Sequence, residues 1–158
     1  MEAGRGPLAG QSILVLEDEP LLALQLDSTF RGAGAEVGLA NNGDGAMRAI
    51  EAVGPTAAVI DINLGEEDCT AVCERLSEAG IPFVFFTGEA RPEVILRWPG
   101  TPVLTKLARQ ERIVDVLAYL TNANRGMLRP RPSQLGRGLR RSVATASSLS
   151  ESRDIASP

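Results

Sequence analysis

The chain has 158 residues, of which 44% are hydrophobic and 23% are charged. This length allows one ordinary domain with tails, and the core must be mainly aliphatic because only 4% of the residues are aromatic. The absence of histidine excludes histidine-based zinc sites and Ser-His-Asp triads. Two cysteines are too few for a disulfide framework and are typical of a reducing compartment.

Charge divides the chain into two parts. Residues 1–124 hold 9 basic and 18 acidic side chains, whereas residues 125–158 hold 7 arginines and 2 acidic side chains. The first part therefore carries −9 and the second +5, which together give the net charge of −4. An acidic body argues against a nucleic-acid surface on the domain itself and favours a site that gathers carboxylates around a cation.

No apolar run approaches the roughly 18–20 residues that are needed to cross a bilayer, so we expect no contact with a membrane. The N-terminal segment lacks the apolar core of a signal peptide, and we therefore expect a cytoplasmic protein. We interpret residues 1–11 as a leader and residues 12–122 as one domain. Residues 123–158 form an Arg/Ser-rich tail, which we expect to be disordered because it has too little apolar surface to bury.

Five short apolar runs alternate with helical patterns along the domain. The predicted strands are Ile13–Leu16, Glu36–Ala40, Ala57–Ile60, Phe83–Phe86 and Thr101–Leu104. The predicted helices begin at Pro20, Asp44, Cys69, Pro92 and Arg109, and they end near Gly32, Val53, Ala79, Arg97 and Leu120. Strands that alternate with amphipathic helices indicate a parallel sheet with helices on both faces.

Polar side chains follow four of the five predicted strands. They are Glu17, Asp18 and Glu19, then Asp61, then Thr87, and finally Lys106. In an open parallel sheet, ligands bind at the carboxyl ends of the strands, so we expect these side chains to converge there. Converging carboxylates repel each other unless a cation lies between them, and oxygen ligands in the absence of histidine favour Mg²⁺.

This set of groups suits the transfer of a phosphoryl group to a carboxylate. An aspartate such as Asp61 beside Mg²⁺ can attack a phosphoryl group, while the metal and the ammonium of Lys106 neutralise its charge. The hydroxyl of Thr87 supplies a hydrogen bond to a further phosphoryl oxygen. We interpret Glu19 instead as a solvated charge at a helix N-terminus.

The stretches ILVLEDE, AAVIDINLG, FVFFTG and PVLTK resemble, in this order, the receiver domain of bacterial two-component response regulators. The resemblance covers about residues 12–121. The loop after Asp61 and the FFTG stretch are most similar to single-domain receivers of alphaproteobacteria. The resemblance implies an α/β fold of the flavodoxin-like, doubly wound (β/α)5 type, whose five-stranded parallel sheet has the strand order 2-1-3-4-5.

The resemblance also implies a response regulator that accepts a phosphoryl group on Asp61 from a sensor histidine kinase or a phosphotransfer protein. Thr87 would be the switch hydroxyl, and Lys106 would pair with the phosphoryl group. The Mg²⁺ ligands would be Asp18 and Asp61 directly, Glu17 through water, and the backbone carbonyl of Asn63. The protein would signal to a downstream protein target in phosphorelay signal transduction, and it would catalyse only its own phosphorylation and dephosphorylation.

Three positions depart from the family pattern. Leu107 stands where a proline usually follows the lysine, Val103 stands where an aromatic switch residue is common, and Glu89 stands where similar receivers carry an aromatic residue. The residues for phosphoryl transfer are complete, whereas those that couple the site to the surface are altered. These departures motivate an alternative hypothesis, a receiver-like scaffold that binds partners without being phosphorylated.

Other interpretations remain open. The order Asp61–Asn63, FFT and lysine faintly resembles phosphatases of the haloacid-dehalogenase type, although their acidic metal pair follows these elements, whereas Glu17 and Asp18 precede them. The arginine-rich tail is the one segment for which we consider binding to nucleic acid or to an acidic partner. Trp98 either covers the edge of the core or anchors a partner.

Overall fold

Strands and helices alternate along the part of the chain that the computed structural model describes, residues 5–64, 67–89 and 91–128. The strands are β1 (Ser12–Leu16), β2 (Glu36–Ala40), β3 (Ala57–Ile60), β4 (Asn63–Leu64), β5 (Glu67–Asp68), β6 (Phe83–Thr87) and β7 (Val103–Thr105). The helices are α1 (Pro20–Gly32), α2 (Gly43–Val53), α3 (Thr70–Ala79), α4 (Pro92–Ile95) and α5 (Gln110–Leu128).

Five strands form a parallel sheet in the order β2-β1-β3-β6-β7. Counted along the chain within this sheet, the order is 2-1-3-4-5, which confirms the predicted fold. All residues of β3 and β6 are buried, as expected for continuous apolar strands that are covered on both faces. The strands β4 and β5 form a separate antiparallel pair that was not predicted.

Helices cover both faces of the sheet and create two apolar clusters. On one face, side chains of α2 and α3 such as Ile50 and Leu76 pack on the sheet. On the other face, Phe30 of α1 and Leu117 of α5 do so. Because every crossover returns the chain in the same direction, the carboxyl ends of all five strands lie at one edge of the sheet, where the site forms.

Residues 5–11, which directly precede β1, pack against the domain. Leu8 is completely buried, and its backbone N–H donates a hydrogen bond to the carbonyl of Ala33 at 2.8 Å. Gly6 has a φ of +116°, and a Cβ at this position would lie 2.4 Å from the same carbonyl oxygen. The glycine therefore permits a close backbone approach, and Leu8 is a core residue that the sequence pattern did not identify.

Several helix boundaries differ from the prediction. The residue that caps α2 is Asn42, whose side chain accepts a hydrogen bond from the N–H of Gly45 at 2.8 Å, rather than Asp44. The last helix continues past its predicted end near Leu120, and past the predicted domain end at 122, to Leu128; Thr121, just beyond Leu120, is buried. The tail prediction from residue 129 onward lies outside the described residues. Within the described part, no helix has the length and apolarity of a membrane span.

Trp98 lies at the edge of the core beside α4. Its ring makes edge-to-face contacts with Phe83 and Phe85, with centroids 6.2 and 6.5 Å apart. The guanidinium of Arg97 lies 5.0 Å from the centre of the Trp98 ring and pairs with Glu74 of α3 at 2.7 Å. Of the two interpretations left open by the sequence, the structure therefore supports the covering of the core edge.

Candidate functional site

The sheet ladder positions the backbone of the acidic residues just beyond the strand ends. The N–H of Glu17 donates to the carbonyl of Ala40 at 3.0 Å, and the N–H of Asp61 donates to the carbonyl of Leu16 at 2.9 Å. Each residue thus continues the hydrogen-bond pattern of its strand by one position. This extension holds Glu17 and Asp61 side by side at the carboxyl edge, as the strand-end argument predicted.

Carboxylate oxygens of Glu17, Asp18 and Asp61 lie within 4.8 Å of one another. Glu17 and Asp61 are both only 2% exposed, whereas Asp18 is exposed. The cluster therefore has a buried floor and one side that is open to solvent. Such a shape allows a cation to be held by protein oxygens while it keeps water ligands on the open side.

Lys106 reaches into this cluster from the end of β7. Its Nζ donates hydrogen bonds to Asp61 Oδ2 at 3.1 Å, Glu17 Oε2 at 3.2 Å and Glu19 Oε1 at 3.0 Å. These contacts use all three donors of the ammonium group. Burial lowers the pKa of Lys106, but the hydrogen bonds to Glu19 and Asp61 outweigh it and raise the pKa above its usual range.

The two buried carboxyl groups hold their protons more tightly than exposed acids do. The pKa of Glu17 is raised to about 7, mainly by burial; the N–H of Glu19 and the ammonium of Lys106 lower it, whereas the charge of Asp61 adds to the rise. Burial also raises the pKa of Asp61, against the hydrogen bonds from Asn63 and Lys106. One ammonium therefore does not compensate the negative charge gathered here.

One oxygen of the cluster shows where positive charge is lacking. Glu17 Oε2 accepts hydrogen bonds from Lys106 Nζ at 3.2 Å and from the N–H of Glu19 at 3.1 Å. Glu17 Oε1 is buried and has no hydrogen-bond partner among the described residues. A buried acceptor without a partner is costly, and a hard divalent cation would remove that cost. The donor set, which consists of carboxylates with no histidine or thiolate, fits Mg²⁺.

Thr87 lies at the end of β6 and is hydrogen-bonded away from the carboxylates. Its hydroxyl donates to the carbonyl of Glu89 at 3.0 Å and accepts from the N–H of Glu89 and from Asn63 Nδ2, each at 3.3 Å. Asn63 Nδ2 also donates to the carbonyl of Glu89 at 3.2 Å. Among the described residues no hydrogen bond joins Thr87 to Asp61. The backbone N–H of Asn63 does donate to Asp61 Oδ1, at 3.1 Å.

Two contacts of the site were not identified from the sequence. Glu19 precedes the first turn of α1, as expected of a charge at a helix N-terminus, but its side chain also pairs with Lys106. Its position two residues after Glu17, at the edge where the lysine was expected, was the available signal. The side-chain contacts of Asn63 depend on the β4–β5 hairpin, for which the sequence carried no signal.

The turn after Lys106 forms without proline. The N–H of Ala108 donates to the carbonyl of Thr105 at 2.9 Å, and the N–H of Leu107 donates to Thr105 Oγ1 at 3.3 Å. The described residues contain no cis peptide bond. The Leu107 side chain is 94% exposed and Val103 is 37% exposed. The two departures on this side of the domain therefore present apolar side chains to solvent.

Two curated relatives are similar to parts of this chain. The phyllosphere-induced regulator PhyR of Methylorubrum extorquens is 37% identical over 128 residues, which is 77% of this chain and 47% of that protein. The DNA-binding response regulator MtrA of Mycolicibacterium smegmatis is 31% identical over 80 residues, 50% of this chain and 35% of that protein. The chain thus spans less than half the length of the curated relatives that it matches.

Solved structures and a family profile agree on the architecture. A response regulator receiver protein from Sinorhizobium medicae has a TM-score of 0.64 and 25% identity, covering 72% of this chain and 96% of that chain. A CheY-like response regulator receiver domain protein from Methanospirillum hungatei has a TM-score of 0.66 and 18% identity, covering 73% of this chain and 97% of that chain. At this low identity the similarity shows that the two chains share a fold. The profile of the response regulator receiver domain matches residues 13–118. The chain therefore belongs to the response regulator receiver domain family, whose members act in phosphorelay signalling.

Proposed function

We propose that Asp61 of this domain accepts a phosphoryl group, with Mg²⁺ held by Asp18 and Asp61 directly, by Glu17 through water, and by the backbone carbonyl of Asn63. The observation that carries the proposal is the buried Glu17 Oε1, which has no hydrogen-bond partner among the described residues. It lies in a cluster of three carboxylates, two of which, those of Glu17 and Asp61, share the ammonium of Lys106. This excess of negative charge suits a divalent cation.

The phosphoryl donor in this proposal is a phosphohistidine of a sensor kinase or of a phosphotransfer protein. A carboxylate oxygen of Asp61 forms an O–P bond while the N–P bond of the donor breaks, and the electron pair of that bond remains on the imidazole nitrogen. Bound Mg²⁺ supplies neutralisation of the charge on the phosphoryl oxygens. Transfer requires ionised Asp61, which Lys106 and the N–H of Asn63 favour through their hydrogen bonds.

Lys106 and Thr87 are the side chains that would contact the oxygens of the transferred phosphoryl group. The ammonium of Lys106 lies 3.1 Å from Asp61 Oδ2 and is positioned to pair with a phosphoryl oxygen on that carboxylate. The hydroxyl of Thr87 must leave the carbonyl of Glu89 before it can donate to another phosphoryl oxygen. This rearrangement would move the loop after β6 and signal to a downstream protein target.

The buried sulfur atoms of Cys69 and Cys73 lie 3.9 Å apart and form no disulfide, which supports the cytoplasm as the location of this chemistry. The exposed apolar side chains at the altered positions Val103 and Leu107 support a protein target rather than nucleic acid. A nucleic-acid role is a proposal for the arginine-rich tail alone, which lies outside the described residues from position 129 onward. In this proposal the domain catalyses only its own phosphorylation and dephosphorylation.

Incubation of the full chain with Mg²⁺ and acetyl phosphate, followed by intact-mass measurement, tests this function. We expect one phosphate adduct on the wild type and on the control Asp115→Asn, which changes an exposed aspartate on α5. Asp61→Asn should show no adduct. If the wild-type mass does not change even when the partner kinase is supplied, the proposal is wrong, and the scaffold hypothesis takes its place.

A further inference from the structure

The side chain of Asn63 joins two loops at the edge of the site. Asn63 belongs to the short strand β4, which pairs with β5, so its backbone is held by the hairpin that follows the phosphoacceptor. Its amide reaches across to the loop after β6, where it donates to Thr87 Oγ1 at 3.3 Å and to the carbonyl of Glu89 at 3.2 Å. The contact therefore ties one loop of the site to the other.

The hydrogen-bond capacity of the Thr87 hydroxyl is fully used. The Thr87 hydroxyl has one donor, given to the carbonyl of Glu89, and two acceptor positions, filled by Asn63 Nδ2 and the N–H of Glu89. The amide orientation of Asn63 is determined as well, because the alternative would place its Oδ1 against a carbonyl oxygen. Thr87 is only 2% exposed, so no water replaces these partners easily.

We propose that the Asn63 amide is a latch that holds the Thr87 hydroxyl against the carbonyl of Glu89 and thereby sets how readily the domain switches. The proposal rests on the proposed function of Asp61, since switching means that Thr87 turns toward a phosphoryl group there. Asn63 is a positioning residue, because it acts on the site through Thr87. The latch depends on the backbone of Glu89 and not on its side chain, which is exposed.

Because the latch uses the backbone of Glu89, two variants separate the effect of the Asn63 amide from that of the Glu89 side chain. Asn63→Ala removes both amide hydrogen bonds but keeps the backbone N–H that binds Asp61 and the carbonyl proposed for Mg²⁺. Glu89→Ala changes the neighbouring side chain but keeps the carbonyl and N–H that the latch uses. Asn122→Ala, on the exposed surface of α5, controls for the loss of an asparagine elsewhere.

The first readout is amide hydrogen exchange of Gly88 and Glu89 in the metal-free full chain, corrected for intrinsic rates. Loss of the two hydrogen bonds should speed exchange in Asn63→Ala by about 3- to 10-fold, with little change in the two other variants. The second readout is the affinity for beryllofluoride, a phosphoryl mimic, in the presence of Mg²⁺. Asn63→Ala should bind it more tightly by a similar factor, because the resting state has lost its latch.

Unchanged exchange in Asn63→Ala, or an equal increase in Glu89→Ala, would overturn the latch. Equal beryllofluoride affinity of Asn63→Ala and wild type, in a protein that does bind the mimic, would also overturn it while leaving the proposed function intact. A wild type that neither binds beryllofluoride nor gains a phosphate refutes the proposed function itself. The two failures are therefore distinguishable.

Discussion

The buried Glu17 carboxylate should destabilise the metal-free domain above neutral pH, and Glu17→Gln should relieve that cost. The pKa of Glu17 rises from 4.5 in an exposed state to about 7 in the folded domain because of burial. At about 1.4 kcal/mol for each pKa unit, full ionisation costs the folded state about 3 kcal/mol. Glu17→Gln removes this cost but also removes one of the three charged partners of Lys106, so we expect a gain of about 1–3 kcal/mol in the free energy of unfolding at pH 8.

The sign of the pH dependence follows from proton binding. Between pH 4.5 and about 7 the folded state keeps a proton on Glu17 that the unfolded state has lost, so wild-type stability falls as the pH rises through this window. In Glu17→Gln the part of this fall that comes from Glu17 should be absent, while the part that comes from the raised pKa of Asp61 remains. The difference between the two proteins should therefore be small near pH 4.5 and reach its full size above pH 7.

Urea denaturation of the metal-free proteins at several pH values measures this difference. Glu51→Gln, which changes an exposed glutamate of α2, is the matched control and should follow the wild type at every pH. Added Mg²⁺ should stabilise the wild type more than the variant and so reduce or reverse the difference, because Glu17→Gln removes one of the charged groups that hold the ion and weakens its binding. A variant that is less stable than wild type at pH 8, or a difference that does not vary with pH, would refute the reasoning.

Three further predictions concern single residues. Leu8→Ala should lower the free energy of unfolding by about 2–4 kcal/mol, because it leaves a cavity in the core. The control Leu21→Ala, at a site that is 71% exposed, should change this free energy little. Equal urea midpoints of the two variants would contradict the prediction. Lys106→Ala should slow phosphorylation by acetyl phosphate by about 100-fold or more while Mg²⁺ still binds, and an unchanged rate in mass-based time courses would remove Lys106 from the mechanism. If phosphorylation governs signalling, acetyl phosphate should change partner binding of the wild type but not of Asp61→Ala in a pull-down with the partner. Equal partner binding by both proteins, with and without acetyl phosphate, would favour the scaffold hypothesis.

The fold was predictable because its signals are local. The runs Ile13–Leu16, Ala57–Ile60 and Phe83–Phe86 are continuous and apolar, which only a strand buried on both faces accommodates at that length. The helix between the first two strands of the chain showed a stripe that ended in Leu26 and Phe30, and both side chains are completely buried. Element boundaries were less certain, because caps such as Asn42 depend on backbone geometry as much as on residue type.

Most of the site was also predictable, for a topological reason. Glu17, Asp18, Asp61 and Lys106 lie far apart in the chain, yet each follows a parallel strand, and the carboxyl ends of parallel strands meet at one edge. The structure brings these four side chains together. Their roles in metal binding and phosphoryl transfer stay predictions until the mass measurement is made.

Contacts between non-periodic segments required the tertiary structure. Leu8 fills the core because Gly6 lets the chain approach Ala33, and no periodicity marks an isolated apolar side chain in a glycine-rich segment. The contact of Asn63 with the loop after β6 depends on a two-residue strand too short to leave a pattern.

The sequence by itself determined where the strands lie and which polar side chains follow them, since hydrophobic periodicity and residue type can be read directly from the chain. Only the tertiary structure decided how that chemistry is held: which oxygen of Glu17 lacks a partner, that Glu19 shares Lys106, and that Thr87 faces away from Asp61. The physical reason is that hydrogen bonds are directional and short, so they depend on positions that many distant residues set together.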